Sequence, residues 1–84
     1  MEHRADPEFW RCFSKLSAKE QAVARKAFEK LKLDPKHPAL HFKKIGRFWS
    51  VRSSLEVRAV GVQTENLIVW FWIGRHSEYE ELLG

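Results

Sequence analysis

The chain has 84 residues, of which 44% are hydrophobic and 13% aromatic, with four Trp and six Phe. That length holds one domain, 1–84, and excludes a multi-domain enzyme, because domains run from about 50 to 250 residues. The apolar bulk is enough for a packed core and argues against wholesale disorder. Fifteen Lys+Arg against eleven Asp+Glu give a formal charge of +4, which predicts an anionic partner without saying which.

A single cysteine, Cys12, excludes an internal disulfide framework and suits a reducing compartment, so a cytoplasmic location is expected. No apolar run reaches the roughly 18 residues of a membrane span. The N-terminus MEHRADPE lacks the apolar stretch of a signal peptide.

Asp6-Pro7 predicts a helix N-cap with proline at the first helical position. Phe9, Cys12, Phe13 and Leu16 then recur at three- and four-residue spacing, which makes Cys12 a core thiol in this reading. Ser17-Ala-Lys-Glu20 reads as a capping box that opens a second helix. Its buried stripe is Ala24, Ala27, Phe28 and Leu31, its wet face carries Lys19, Arg25, Lys26, Glu29 and Lys30, and it ends near Leu33. Pro35 and Pro38 then force an extended linker.

From there the period drops to two. Short strands are predicted around His41–Ile45, around Phe48–Arg52 after a Gly46-Arg47 turn, and from about Glu56 to Val62. Leu67–Ile73 is an apolar run of the kind found in a sheet interior. Gly74 closes it, and Ser77-Glu78-Tyr79-Glu80 repeats the capping-box pattern at the start of a short last helix. Met1–Ala5 is short and polar, so no strand is expected there.

The connection between the second and third strands decides where the arginines point. A three-residue loop, Ser53 to Leu55, pairs Arg52 with Glu56. It leaves Trp49, Val51, Val57 and Ala59 on the core face and sets Ser50, Arg52 and Arg58 together on the other. Two helices cover only one sheet face. The second face would then carry arginines, with Trp70 or Trp72 beside them, and stand open to a ligand.

Two residue sets carry candidate chemistry. Lys43, Lys44, Arg47, Arg52 and Arg58, interleaved with Phe48 and Trp49, suit RNA: cations neutralise phosphate while aromatic rings stack on bases, at about 1–3 kcal/mol per stacked base. The same residues also fit an ordinary solvated strand with edge lysines that block aggregation. The second set is Gly74-Arg75-His76-Ser77-Glu78-Tyr79, where a strand hands over to a helix N-terminus. Such a junction favours anions, Arg75 would hold phosphate, and His76 would exchange a proton. A plain loop with Tyr79 packed on the core fits as well. No metal site is expected, because Pro38 breaks any helix that would align His37 with His41 and no CxxC accompanies them. Glycine-rich phosphate loops, paired-carboxylate motifs and GxSxG elbows are absent from the sequence, and no cofactor is expected.

The succession of blocks resembles the RelE/ParE superfamily of toxins from bacterial type II toxin–antitoxin modules. Two helices precede His37-Pro38-Ala39-Leu40, followed by Phe42-Lys43-Lys44-Ile45, Trp49-Ser50-Val51-Arg52, Val57-Arg58-Ala59-Val60 and the stretch Trp70 to Tyr79. The resemblance implies an α+β fold, with two N-terminal helices on one face of a small antiparallel sheet of about four strands and a short C-terminal helix. It also implies metal-independent mRNA cleavage in the ribosomal decoding site, by attack of the 2′-hydroxyl to leave a 2′,3′-cyclic phosphate. By resemblance, Lys43 and Lys44 would bind and polarise the RNA, Arg58 would stabilise the phosphorane, and Arg75, His76 and Tyr79 would complete the catalytic set. Arg47, Arg52 and Trp49 join the RNA-binding set. The implied partners are a cognate antitoxin protein and mRNA on the ribosome; a homodimer is left open, and no membrane is involved. ParE-type relatives share the fold and act on DNA gyrase, so a gyrase inhibitor and an inactive RNA-binding relative remain alternative readings.

Overall fold

A computed structural model of the chain describes residues 1–83. The elements run β1 (Glu2–Ala5), α1 (Pro7–Phe13), α2 (Ala18–Leu33), a 3₁₀ turn (Pro38–Leu40), β2 (Lys43–Ile45), β3 (Phe48–Arg52), β4 (Val57–Thr64), β5 (Leu67–Arg75) and α3 (His76–Leu83).

Local chemistry places both early helices. The Phe9 N–H donates to the Asp6 carboxylate at 3.0 Å, with Pro7 at the first helical position. In α2 the Ser17 hydroxyl accepts from the Glu20 N–H at 3.1 Å while the Glu20 carboxylate accepts from the Ser17 N–H at 2.9 Å. The helix start at Ser17 cuts α1 short at Phe13, before Leu16, which is nonetheless buried. The Gln21 amide spans the break by donating to the carbonyls of Phe13 and Leu16, both at 3.2 Å.

The sheet has five strands in the order β1-β5-β4-β3-β2, all antiparallel except the β1·β5 pair. The extra strand corrects the expectation of about four. β1 lies parallel to β5, with Glu2 opposite Leu67 and Ala5 opposite Trp70. Its side chains show no apolar periodicity because backbone pairing and one histidine hold it. The Trp70 indole donates to His3 Nδ1 at 3.1 Å, and the His3 ring stacks on Trp70 with centroids 6.0 Å apart. Burial holds the His3 imidazole below its ordinary pKa, because removal from water disfavours the charged ring.

Four residues rather than three connect β3 to β4. The Ser53 N–H donates to the Val57 carbonyl at 3.0 Å, and the residue opposite Arg52 is Arg58, not Glu56. A displacement of two residues keeps every side chain on its face. Val51, Val57 and Ala59 therefore remain on the core side with Ile68, Trp70 and Ile73, packed against Phe13, Leu16 and Leu31 of the helical half. Phe28 of the expected buried stripe is 37% exposed, and Cys12 is only half-buried.

A bulge between Val60 and Gly61 offsets β5, so that Gly61 faces Trp70 while Val60 faces Trp72. Trp70 thus belongs to the core face and Trp72 to the other. On that second face Gly74 lies opposite Arg58, and the Trp72 ring covers it: a Cβ at Gly74 would come within 2.5 Å of the ring.

The second face is not left fully open. α3 folds back across it, and Val60 is completely buried. The helix begins at His76, one residue before Ser77, and its start differs from the predicted capping box. The Arg75 N–H donates to the Glu78 carboxylate at 3.2 Å, while Glu80 reaches His76 instead.

Candidate functional site

Where α3 crosses the sheet it closes a small polar cavity of about 110 Å³, lined by His41, Lys43, Ser50, Arg52, Arg58, His76 and Tyr79. Four parts of the chain meet there: the end of the 3₁₀ turn with β2, then β3, β4 and α3. Alternation along the strands accounts for four of the residues. Ser50 lies opposite Lys43, and Arg52 opposite Arg58, so their side chains share the face away from the helices.

Both arginines are held by backbone carbonyls rather than by a carboxylate. One terminal nitrogen of Arg58 donates to the carbonyls of Ser54 at 2.7 Å, Leu55 at 3.1 Å and Val57 at 3.3 Å. Arg52 Nε donates to the Ala39 carbonyl at 3.0 Å, which ties the 3₁₀ turn to the sheet. The remaining guanidinium donors are available to an anion. Burial disfavours the charge on Arg58 and Arg52 repels it further, while Tyr79 and Glu56 offset part of this, so its pKa is lowered. Like charges directly opposite on neighbouring strands destabilise a sheet. A bound phosphate would relieve both penalties.

α3 is docked onto the cavity by two contacts. The His76 N–H donates to the Glu56 carbonyl at 2.7 Å, anchoring the helix beside the turn that also holds Arg58. The buried Ser50 hydroxyl donates to the Tyr79 hydroxyl at 2.9 Å. Tyr79 and His76 stack with centroids 5.9 Å apart, and His76 Nε2 lies 2.8 Å from a Glu80 carboxylate oxygen. His76 Nδ1 is buried and has no hydrogen-bond partner among the described residues.

Of the predicted site residues, Lys43, Arg52, Arg58, His76 and Tyr79 converge on this cavity. Arg75 does not. It lies opposite Val57 and its guanidinium grips both oxygens of Glu20 in α2, at 3.0 and 3.2 Å, on the helix-covered side. Trp49 is also on that side, stacked on Phe42 at 4.7 Å with its indole donating to Gln63 at 3.0 Å. Lys44 lies opposite Trp49 and shares its face. Arg47 sits at the β2–β3 turn, 5.3 Å over the Phe48 ring, and Phe48 is 5.9 Å from Phe71. The aromatic residue that alternation puts on the cationic face is thus Phe48 rather than Trp49.

Sequence reasoning set Ser50 on the arginine face without assigning it a role, and missed His41 as a cavity residue. His41 itself takes a left-handed conformation after the 3₁₀ turn, which no periodicity reveals; the strand expected from His41 begins only at Lys43.

A five-stranded, mostly antiparallel sheet with two helices on one face and a third crossing the other is the RelE/ParE toxin fold. Solved structures share it across nearly their whole length. The RelB–RelE antitoxin–toxin complex from Methanococcus jannaschii matches with a TM-score of 0.73 at 9% identity, over 96% of this chain and 99% of that one. A YoeB/ParE toxin from Agrobacterium tumefaciens matches at 0.67 with 14% identity, over 90% and 99%. The isolated E. coli RelE toxin matches at 0.62 with 12% identity, over 96% and 94%. No protein-family model and no curated protein matches the sequence. At these identities the likeness is one of fold.

Proposed function

We propose that this protein is the toxin of a type II toxin–antitoxin pair and acts as an endoribonuclease on mRNA at the ribosome. One observation carries the reading: three cations, two histidines and a tyrosine from four parts of the chain converge on a single cavity whose lining contains no carboxylate. That donor set suits a phosphodiester. Its volume suits a phosphate group rather than an organic cofactor, whose sites run from about 300 to 1,000 Å³.

Metal-independent RNA cleavage needs a base for the 2′-hydroxyl, positive charge for the pentacoordinate phosphorus and a proton for the 5′-oxygen. In this reading Arg58, fixed by three carbonyls, holds the phosphorane, with Arg52 and Lys43 adding charge. His76 takes the 2′-hydroxyl proton as the neutral ring whose Nε2 has lost its own proton and left the exposed Glu80 carboxylate, the ring hydrogen then lying on Nδ1. Tyr79, held by Ser50, fixes the His76 ring by stacking. Phe48 under Arg47 offers a stacking surface for a base on the same face. Attack of the 2′-oxygen leaves a 2′,3′-cyclic phosphate and a 5′-hydroxyl.

The antitoxin would be an acidic, amphipathic segment. A second hollow of about 440 Å³ lies between the helices and the sheet, lined by Phe9, Trp10, Phe13 and Phe28 and edged by Arg25 and Lys26. An amphipathic helix with acidic flanks fits an apolar groove with a basic rim.

The test is induction in growing cells, with mRNA 5′ ends mapped on ribosomes for the wild type and for His76→Ala and Arg58→Ala. New 5′ ends from the wild type that both variants lose support the reading. No new ends, or equal cutting by both variants, reject it; growth arrest with lost supercoiling and intact mRNA would instead indicate a gyrase inhibitor.

A further inference from the structure

Cleavage by this route needs two proton transfers at opposite sides of the phosphorus, and His76 accounts for one. The second calls for a group that ordinarily exchanges protons near neutral pH, which an imidazole does. Guanidinium, ammonium and phenol groups ordinarily hold their protons well above neutral pH, which makes a histidine better suited than Arg52, Arg58, Lys43 or Tyr79. His41 is the remaining imidazole in the cavity wall.

His41 is unusual in its backbone. It follows the 3₁₀ turn with φ 44° and ψ 42°, in the left-handed region, and its N–H donates to the Pro38 carbonyl at 3.3 Å. Glycine or asparagine is the ordinary residue at such a cap, because a larger side chain crowds the backbone. Non-glycine residues in this conformation cluster at functional sites and also occur in tight turns, as Glu65 does between β4 and β5 at φ 54°. What holds His41 there is one of the cavity's own cations, since the Arg52 bond to Ala39 fixes the turn against β3. The imidazole itself is exposed and makes no hydrogen bond or ion pair among the described residues. His37, four residues earlier, has instead committed its Nδ1 to the Ala39 N–H at 3.1 Å.

We propose that His41 is a second catalytic residue of this cavity, the general acid that protonates the departing 5′-oxygen of the RNA. The proposal rests on the endoribonuclease reading and deepens it. Position supports the role. His76, at the start of α3, is half-buried, whereas His41 across the cavity lining is exposed and accessible to a leaving group. As the 2′-oxygen bonds to phosphorus, its proton passes to His76. The bond from phosphorus to the 5′-oxygen breaks with its electron pair on oxygen, and the His41 imidazolium gives that oxygen a proton. Exchange with water returns both rings to their starting forms.

The test uses ribosomes programmed with synthetic mRNA carrying either a normal phosphodiester or a 5′-phosphorothiolate at the bond the wild type cuts. Sulfur departs without a proton, so loss of a general acid is silent on the second substrate. His41→Asn and His41→Gly both suit the left-handed backbone, and thermal unfolding checks that each is folded. Both should slow cleavage of the normal bond by about 10²–10⁴-fold, the usual contribution of such a group, and cut the thiolate bond as fast as the wild type. His76→Ala should remain slow on both. Normal cleavage by the His41 variants, or an equal defect on the two substrates, overturns the assignment while leaving the endoribonuclease reading intact. A wild type that cuts neither substrate overturns both.

Discussion

The two faces of the sheet use the same strands for opposite purposes. On the helix-covered face Val51, Val57, Ala59, Ile68, Trp70 and Ile73 are buried against α1 and α2, and Arg75 is neutralised by Glu20. On the other face, residues offset by one along β3 and β4 are Ser50, Arg52 and Arg58, the two arginines facing each other with carbonyls as their partners. The first arrangement minimises free energy in the folded chain alone. The second leaves repulsion between Arg52 and Arg58 that an anion would relieve, as the proposed function requires.

Substitutions on either face should separate these purposes. Ile68→Ala, at a fully buried position, should cost about 2–5 kcal/mol in denaturant unfolding and leave cleavage per folded molecule unchanged. Arg58→Ala should do the reverse. Cleavage should fall by about 10²–10³-fold, the usual cost of losing one preorganised charge partner, while the unfolding midpoint moves far less than for Ile68→Ala.

Intermediate effects are expected where the faces are joined to α3. Gly74→Ala places a methyl group 2.5 Å from the Trp72 ring and should destabilise by about 1–3 kcal/mol; a shift of Trp72 fluorescence would report the displaced ring. Ser50→Ala removes the donor to Tyr79 and should cost about 1 kcal/mol, seen as faster amide exchange confined to α3.

The smallest effect concerns the edge strand. The folded-state pKa of His3 lies below its ordinary 6.5, so the unfolded chain takes up the proton more readily. Its contribution to stability is complete above about pH 6.5 and is lost as pH falls through the lower folded value. Melting temperatures between pH 8 and 5 should decline along that course, and His3→Phe should flatten the slope.

Much of this contrast was legible in the sequence. The N-caps at Asp6 and Ser17 carry their own side-chain signals, and period-two alternation put Ser50, Arg52 and Arg58 on one face even though the loop length was wrong by one residue. What stayed hidden depends on tertiary contact. β1 is held by main-chain bonds to β5 and by one histidine against Trp70, neither of which leaves an apolar pattern. Arg75 could be aimed correctly only by knowing that β5 continues through Gly74 and that Glu20 waits across the helix layer. The left-handed turn at His41 has no residue signature, because glycine is absent there.

Two arginines put the central claim to its most direct test. Mapping mRNA 5′ ends on ribosomes from cells expressing Arg58→Ala or Arg75→Ala, at matched levels of folded protein, compares the two faces with a single readout. If the cavity face does the chemistry, Arg75→Ala produces the wild-type 5′ ends and Arg58→Ala produces none. Cutting by Arg58→Ala together with loss of cutting in Arg75→Ala would contradict the account and place the reaction on the helix-covered side.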